Sequence, residues 1–156
     1  MTQAAFSHIS LNVSDLAASS KFYINALSPL DFTVADSAKD YVRLTNGSNF
    51  VIVLSPVEPK HQRRAYHRKA VGLGHLAISV TSREIVDRME DHLHGLGITA
   101  LGDGKVELGY RRGYYCFLFE DPDKIMIEIA YHDPFYFYGN HHDKNPMPKK
   151  WLQVLS

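Results

Sequence analysis

Two stretches, Phe6-Ser-His-Ile-Ser-Leu-Asn-Val13 and Leu73-Gly-His-Leu-Ala-Ile-Ser-Val80, align without a gap and set His8 on His75. Self-similarity on this scale means one supersecondary unit used twice. Each block leads into a helix signal. After Val13, Ser14 or Asp15 can cap a helix whose partly apolar stripe runs through Leu16, Ser19, Ser20, Phe22, Tyr23, Ala26 and Leu27 and stops before Pro29. After Val80, Thr81 and Glu84 have the spacing of a capping box, and Ile85, Val86, Met89, Leu93 and Leu96 recur at helical spacing before Gly97. Strand-like runs come next: 31–35, 41–45 and 50–54 in the first unit, with an Asn46-Gly47 turn; a weak 98–101, then 114–120 and 125–131 in the second. Asp121-Pro122-Asp123-Lys124 reads as a tight turn in which Lys124 occupies a position easier for Gly. The expected fold class is therefore α+β, two tandem βαβββ units over residues 5–56 and 72–132.

The connector at 57–71 is irregular and basic, with Lys60, Arg63, Arg64, Arg68 and Lys69 beside His61 and His67. It reads as a solvated linker or, alternatively, as a gate or anion site. The stretch 133–156, aromatic and then polar, reads as an arm over the domain or a partner chain, or as a lid.

Strand alternation sorts side chains into two faces. His8, Ser10 and Asn12 share one face against Ile9, Leu11 and Val13; His75, Ala77 and Ser79 oppose Leu76, Ile78 and Val80. The aliphatic faces must pack on the helices, which leaves both His on the open side. In the last strand Ile125, Ile127 and Ile129 form the helix-facing set, and Met126, Glu128 and Ala130 the other. A Glu in so apolar a strand is costly to bury unless paired or ligated. Two His and one Glu on equivalent faces are either separately hydrogen-bonded side chains or ligands to a metal.

Composition narrows the function. Seventeen Lys+Arg balance 17 Asp+Glu, which removes the electrostatic footprint of a duplex binder. The single Cys, Cys116, excludes an internal disulfide or thiolate zinc site and fits a reducing compartment. The opening residues lack a leader's basic and apolar regions, and no apolar run approaches the ~18 residues of a membrane span. The expectation is a cytoplasmic chain whose partner is a small molecule, not nucleic acid or membrane. A core of this size forms without a structural metal, so a metal would be functional.

The doubled βαβββ pattern, the two His-bearing openings and the ending Gly113-Tyr-Tyr-Cys-Phe-Leu-Phe-Glu-Asp-Pro-Asp-Lys-Ile-Met-Ile-Glu128 resemble the vicinal oxygen chelate superfamily, which includes glyoxalase I, bleomycin-resistance proteins, fosfomycin-resistance thiol transferases and extradiol dioxygenases. The resemblance implies curved mixed sheets enclosing a metal-binding cleft, one divalent ion (Fe, Mn, Zn or Ni) and a homodimer. Residue by residue it implies metal ligation by His8, His75 and Glu128, with the fourth family position closest to Val53, where no carboxylate stands.

That departure bears on the chemistry. Glyoxalase I-like proton transfer uses a metal-side carboxylate as base, and its absence argues against that activity. Three ligands leave open positions for a bidentate substrate, similar to the dioxygenases and to the thiol transferases, and dioxygenase or isomerase/lyase chemistry is favoured. A metal-free, drug-sequestering member is the alternative, and the retained triad argues against it. Tyr114 and Tyr115 are the candidate proton-moving residues, of which alternation lets only one face the cleft. Tyr110, Arg112 and His67 are candidates for substrate binding.

Overall fold

A computed structural model describes residues 6–48, 50–62, 66–102, 104–107 and 113–132. Two compact units emerge. One holds the described residues up to Tyr66 together with Asp121–Asp123; the other holds those from His67 to Glu120 and from Lys124 onward. The division falls inside the basic connector.

The first unit runs β1 (His8–Val13), α1 (Leu16–Leu27), a 3-10 turn (Ser28–Leu30), β2 (Thr33–Ala38), β3 (Tyr41–Thr45) and β4 (Val51–Pro56). Its four-stranded sheet has the order β1-β4-β3-β2, with β1 parallel to β4 and the other pairs antiparallel. Leu11, Val13, Leu44, Ile52 and Leu54 form the buried face and meet Tyr23, Ala26 and Leu27 of α1, while His8, Ser10 and Asn12 stay exposed. Asp15 is the N-cap, accepting from the Ala18 N–H at 3.0 Å. Tyr23, buried, donates to Asp121 at 2.9 Å, and Asp123 accepts from the Ser14 N–H at 3.0 Å, which ties the 121–123 turn to this unit.

The second unit repeats the topology: β5 (Leu76–Val80), α2 (Arg83–Gly95), β6 (Val106–Glu107), β7 (Tyr115–Glu120) and β8 (Met126–Tyr131), in the order β5-β8-β7-β6 with β5 parallel to β8. Leu76, Ile78, Val80, Ile127 and Ile129 are buried together with Val86, Met89 and Leu93 of α2. On α2, Asp87 and Glu90 share the Lys105 ammonium at 2.9 and 3.1 Å.

Several expectations need correction. The strand expected at 98–101 does not form. Leu101 N–H donates to Leu118 at 2.7 Å, but Gly97, Gly102 and Gly104 adopt positive φ around it and break extended pairing, which resumes at β6. The Thr81–Glu84 capping box does not form: Ser82 is the N-cap, with no side-chain cap bond, and its hydroxyl instead bonds the Glu84 carboxylate, holding that acid below its ordinary range. Leu96, counted in the α2 stripe, is 44% exposed because the helix has already ended at Gly95. Lys124 does take the left-handed conformation, φ 67°.

Candidate metal centre

In the second unit, β8 lies between β5 and β7, and the register sets Glu128 across from Ala77 on one side and Leu118 on the other. Glu128 is 5% exposed and has buried Met126 and Ala130 on its own face of the strand. A carboxylate in that setting needs donors, and three side chains supply them. His75, one residue ahead of β5, places Nε2 at 3.1 Å from Oε2. The Tyr114 hydroxyl, just ahead of β7, donates to Oε1 at 2.7 Å. The Cys116 thiol, fully buried on β7, is a third donor.

Burial alone would raise the Glu128 carboxyl, but hydrogen bonds from His75, Tyr114 and Cys116 outweigh it and hold the acid below its ordinary value. The same hydrogen bond raises His75 against the opposing effect of its own half-burial. Burial, then the Glu128 charge, push the Cys116 thiol up, so Cys116 is a donor and not a nucleophile. Beyond the carboxylate, the Tyr114 ring lies parallel to that of His132 at 6.4 Å, and His132 Nε2 meets Ser79 Oγ at 3.1 Å.

The second tyrosine is placed differently. Tyr115 OH donates to Asp87 on α2 at 2.8 Å, and the Arg83 guanidinium lies 5.1 Å from its ring centre. Tyr115 therefore belongs to the helix-packing face. As a candidate for proton transfer it is corrected: only Tyr114 reaches Glu128.

In the first unit, His8 opens β1, is exposed, and has Nδ1 at 3.2 Å from Ser7 Oγ. With Val51, Val53, Tyr41, Arg43 and Ser7 it lines a concavity of about 330 Å³. Register identifies the position that lacks an acid. Val53 pairs with Ser10 as Glu128 pairs with Ala77, and Ser10 and Ala77 are matched residues of the two openings. Val53 therefore stands in the first unit where Glu128 stands in the second.

A model of the glyoxalase/bleomycin resistance protein/dioxygenase superfamily matches residues 5–129. The chain belongs to that superfamily. The uncharacterised protein YqjT of Bacillus subtilis is 32% identical over 128 residues, covering 79% of this chain and 95% of that protein. A candidate glyoxalase from Bacillus halodurans shares the fold with a TM-score of 0.74 and 28% identity, covering 83% of this chain and 96% of the other. Lactoylglutathione lyase from Agrobacterium tumefaciens, 17% identical with a TM-score of 0.63 over 84% of this chain and 96% of its own, shows likeness of fold. Superfamily membership accounts for the doubled unit.

The donor set of the second unit can be tested against an ion of the kind the superfamily generally binds. Two ligands about 2.1 Å from one ion stand roughly 3.0 Å apart at a right angle and about 3.4 Å apart at the tetrahedral angle. His75 Nε2 and Glu128 Oε2, at 3.1 Å, lie within that range. Imidazole and carboxylate suit Fe, Mn, Zn or Ni. Among the described residues no group of three or more His, Cys, Asp or Glu side chains is arranged to hold a metal ion. His75 and Glu128 lie together in the second unit, and His8 belongs to the first.

Of the residues considered for substrate binding, His67 is exposed and its Nδ1 accepts from the Lys69 N–H at 3.2 Å within its own turn. Tyr110 and Arg112 lie outside the described residues, as do Arg63, Arg64 and the arm at 133–156. Arg68 of the connector pairs with Glu120 at 3.1 Å. Sequence reasoning passed over Cys116 as a donor and Arg43 as a wall of the concavity. Alternation along Tyr41–Thr45 was the available signal for Arg43, since it sets Tyr41 and Arg43 on one face.

Proposed function

We propose that the chain is a divalent-metal-dependent enzyme in which His8, His75 and Glu128 together hold one ion and vicinal oxygens of a small substrate take its open positions. The observation that supports this most is the His75–Glu128 pair, an imidazole and a buried ionised carboxylate with donor atoms 3.1 Å apart. A bound ion would polarise the substrate oxygens and stabilise charge developing on them.

The chain's own residues do the rest. His75 would hold an ion as the neutral imidazole, and Glu128 would keep its charge because Tyr114 and Cys116 still donate to it. Tyr114 occupies Oε1, so Oε2, beside His75, is the oxygen that would hold an ion. Its hydroxyl is also the proton beside the carboxylate, so Tyr114 is the candidate to donate to, or accept from, a substrate oxygen. Val53 removes the carboxylate base that glyoxalase I-type proton transfer would use, and the reading favours dioxygenase or isomerase/lyase chemistry over thiol transfer. The lone Cys116 and the family likeness support a cytoplasmic homodimer.

One observation favours a second reading, a metal-free binding protein: both Glu128 oxygens already have protein donors. The experiment that separates them is turnover by the protein loaded in turn with Fe(II), Mn(II), Zn(II) or Ni(II). Oxygen uptake on a catechol panel, isomerisation of hemithioacetals and thiol-adduct formation are the three assays. Metal-dependent turnover in one of them, lost in His75→Ala and Glu128→Ala, is the expected result. Ligand binding indifferent to metal, with no turnover, would favour the metal-free reading.

A further inference from the structure

We propose that Arg43 anchors an anionic group of the substrate, so that the substrate class is a small acid carrying a carboxylate or phosphonate beside its vicinal oxygens. This rests on reading the open sheet face of the first unit as part of a small-molecule site.

The register runs Ser10, Val53, Arg43, Asp36 in one row across the sheet, which sets Arg43 on the face that carries His8. With Ser7, His8, Tyr41, Val51 and Val53 it walls the concavity of about 330 Å³, at the small end of the size range for small-molecule sites. Arg43 is the one permanent cation among these lining residues, and none of them is a carboxylate.

Asp36 stands beside the wall and accepts from Arg43 Nε at 2.9 Å and from Nη2 at 2.6 Å, while the guanidinium carbon lies 5.7 Å from the centre of the Tyr41 ring. Both side chains of the ion pair are nearly half exposed, 45% and 46%, where such a pair contributes little to stability. Its effect is positional. Asp36 engages the lateral edge of the guanidinium, the Tyr41 side chain is a second hydrogen-bond partner, and the end-on fork is held with few rotamers left to lose. That fork matches a carboxylate or phosphonate in two parallel hydrogen bonds.

The test is a matched pair of probes, 3,4-dihydroxybenzoate and 3,4-dihydroxybenzamide, titrated calorimetrically into the full chain, metal-free and then Zn(II)-loaded. The pair shares its vicinal oxygens and differs in charge. The metal-free parent is expected to bind the benzoate about tenfold more tightly than the benzamide. Arg43→Met abolishes that preference and leaves the benzamide within about twofold of the parent; Arg43→Lys keeps part of it. Raising ionic strength shrinks the preference in the parent itself, a readout that needs no variant. Equal binding of the two probes by the metal-free parent, no measurable binding of the benzoate, or a preference that survives Arg43→Met would overturn the proposal. Zn(II) reports separately on the metal reading, because it should tighten both probes. If it tightens neither while the preference persists, the metal reading fails and the anion anchor stands.

Discussion

Replacing Tyr114 by Phe removes one oxygen from the second unit and leaves the ring in place. Glu128 Oε1 then loses its 2.7 Å donor while the residue stays 5% exposed between buried Met126 and Ala130, so water is a poor substitute. A hydrogen bond to a charged group contributes about 1.5–3 kcal/mol, and a buried acceptor left without it sits at the upper part of that range. With a urea slope of about 2 kcal/mol/M for a domain of this size, the midpoint of the metal-free protein should fall by roughly 0.7–1.5 M. Losing that donor also moves the Glu128 carboxyl up, since the Tyr114 hydrogen bond is one of those that hold it down. Tyr115→Phe is the internal control. It deletes a hydroxyl bonded to Asp87, whose side chain is 44% exposed, and should cost about 1 kcal/mol or less. A cycle with Glu128→Gln assigns the loss, since Tyr114→Phe should cost clearly less once the charge is gone. A Tyr114→Phe loss below about 0.5 kcal/mol, or one unchanged in the Glu128→Gln background, would refute the claim that Tyr114 holds this carboxylate.

The pair also imposes opposite pH limits. His75, raised by its bond to Glu128, stabilises the metal-free protein fully below its unfolded value of 6.5 and loses that contribution as the pH rises through the higher folded value; Glu128, lowered, contributes above its unfolded value of 4.5 and loses it as the pH falls through the folded one. The pair's contribution should therefore peak between those unfolded values, and His75→Ala should flatten the alkaline limb of a urea-midpoint profile. Because ligation needs neutral His75, the metal dissociation constant should weaken about tenfold per pH unit below the raised His75 value, measured by competition with a chelator. Lys124→Gly relieves a φ of 67° at the cost of an exposed 3.2 Å pair with Glu120, and should raise stability by about 0.5–1 kcal/mol in urea unfolding. Val53→Glu restores a carboxylate at the position equivalent to Glu128 and should tighten Zn(II) about tenfold by calorimetry; unchanged affinity would mean the register equivalence does not extend to the ion.

The parts of this molecule legible in its sequence are those where one strand face is buried and the other is not. Along β1 and β5, exposed and buried residues alternate as the pattern of His8–Val13 and His75–Val80 predicts, because the helix covers one side only. β8 gives no such alternation: Met126 through Ala130 are all buried, and Glu128 stood out by its chemistry alone. Alternation separates Tyr114 from Tyr115 but does not say which face is which, and that needed the Asp87 hydroxyl bond on α2. Thr81 and Ser82 are hydroxyl residues one position apart, so spacing alone does not say which of them stands at the N-cap. The 97–105 segment escaped because three glycines with positive φ and, among the described residues, a single cross-strand bond leave no periodicity to read. The Lys105 link to Asp87 and Glu90 escaped for the same reason, since only the folded loop brings that ammonium to the helix.

The central claim is that His8, His75 and Glu128 share one ion, and equilibrium metal content tests it most directly. The purified chain, reconstituted with Fe(II), Mn(II), Zn(II) or Ni(II) and freed of excess metal, should retain one ion per site with at least one of them. His8→Ala, His75→Ala and Glu128→Ala should each lose it, with folding verified by circular dichroism. Retention far below one ion with every metal, or retention by folded His8→Ala or Glu128→Ala equal to that of the parent, would contradict the account.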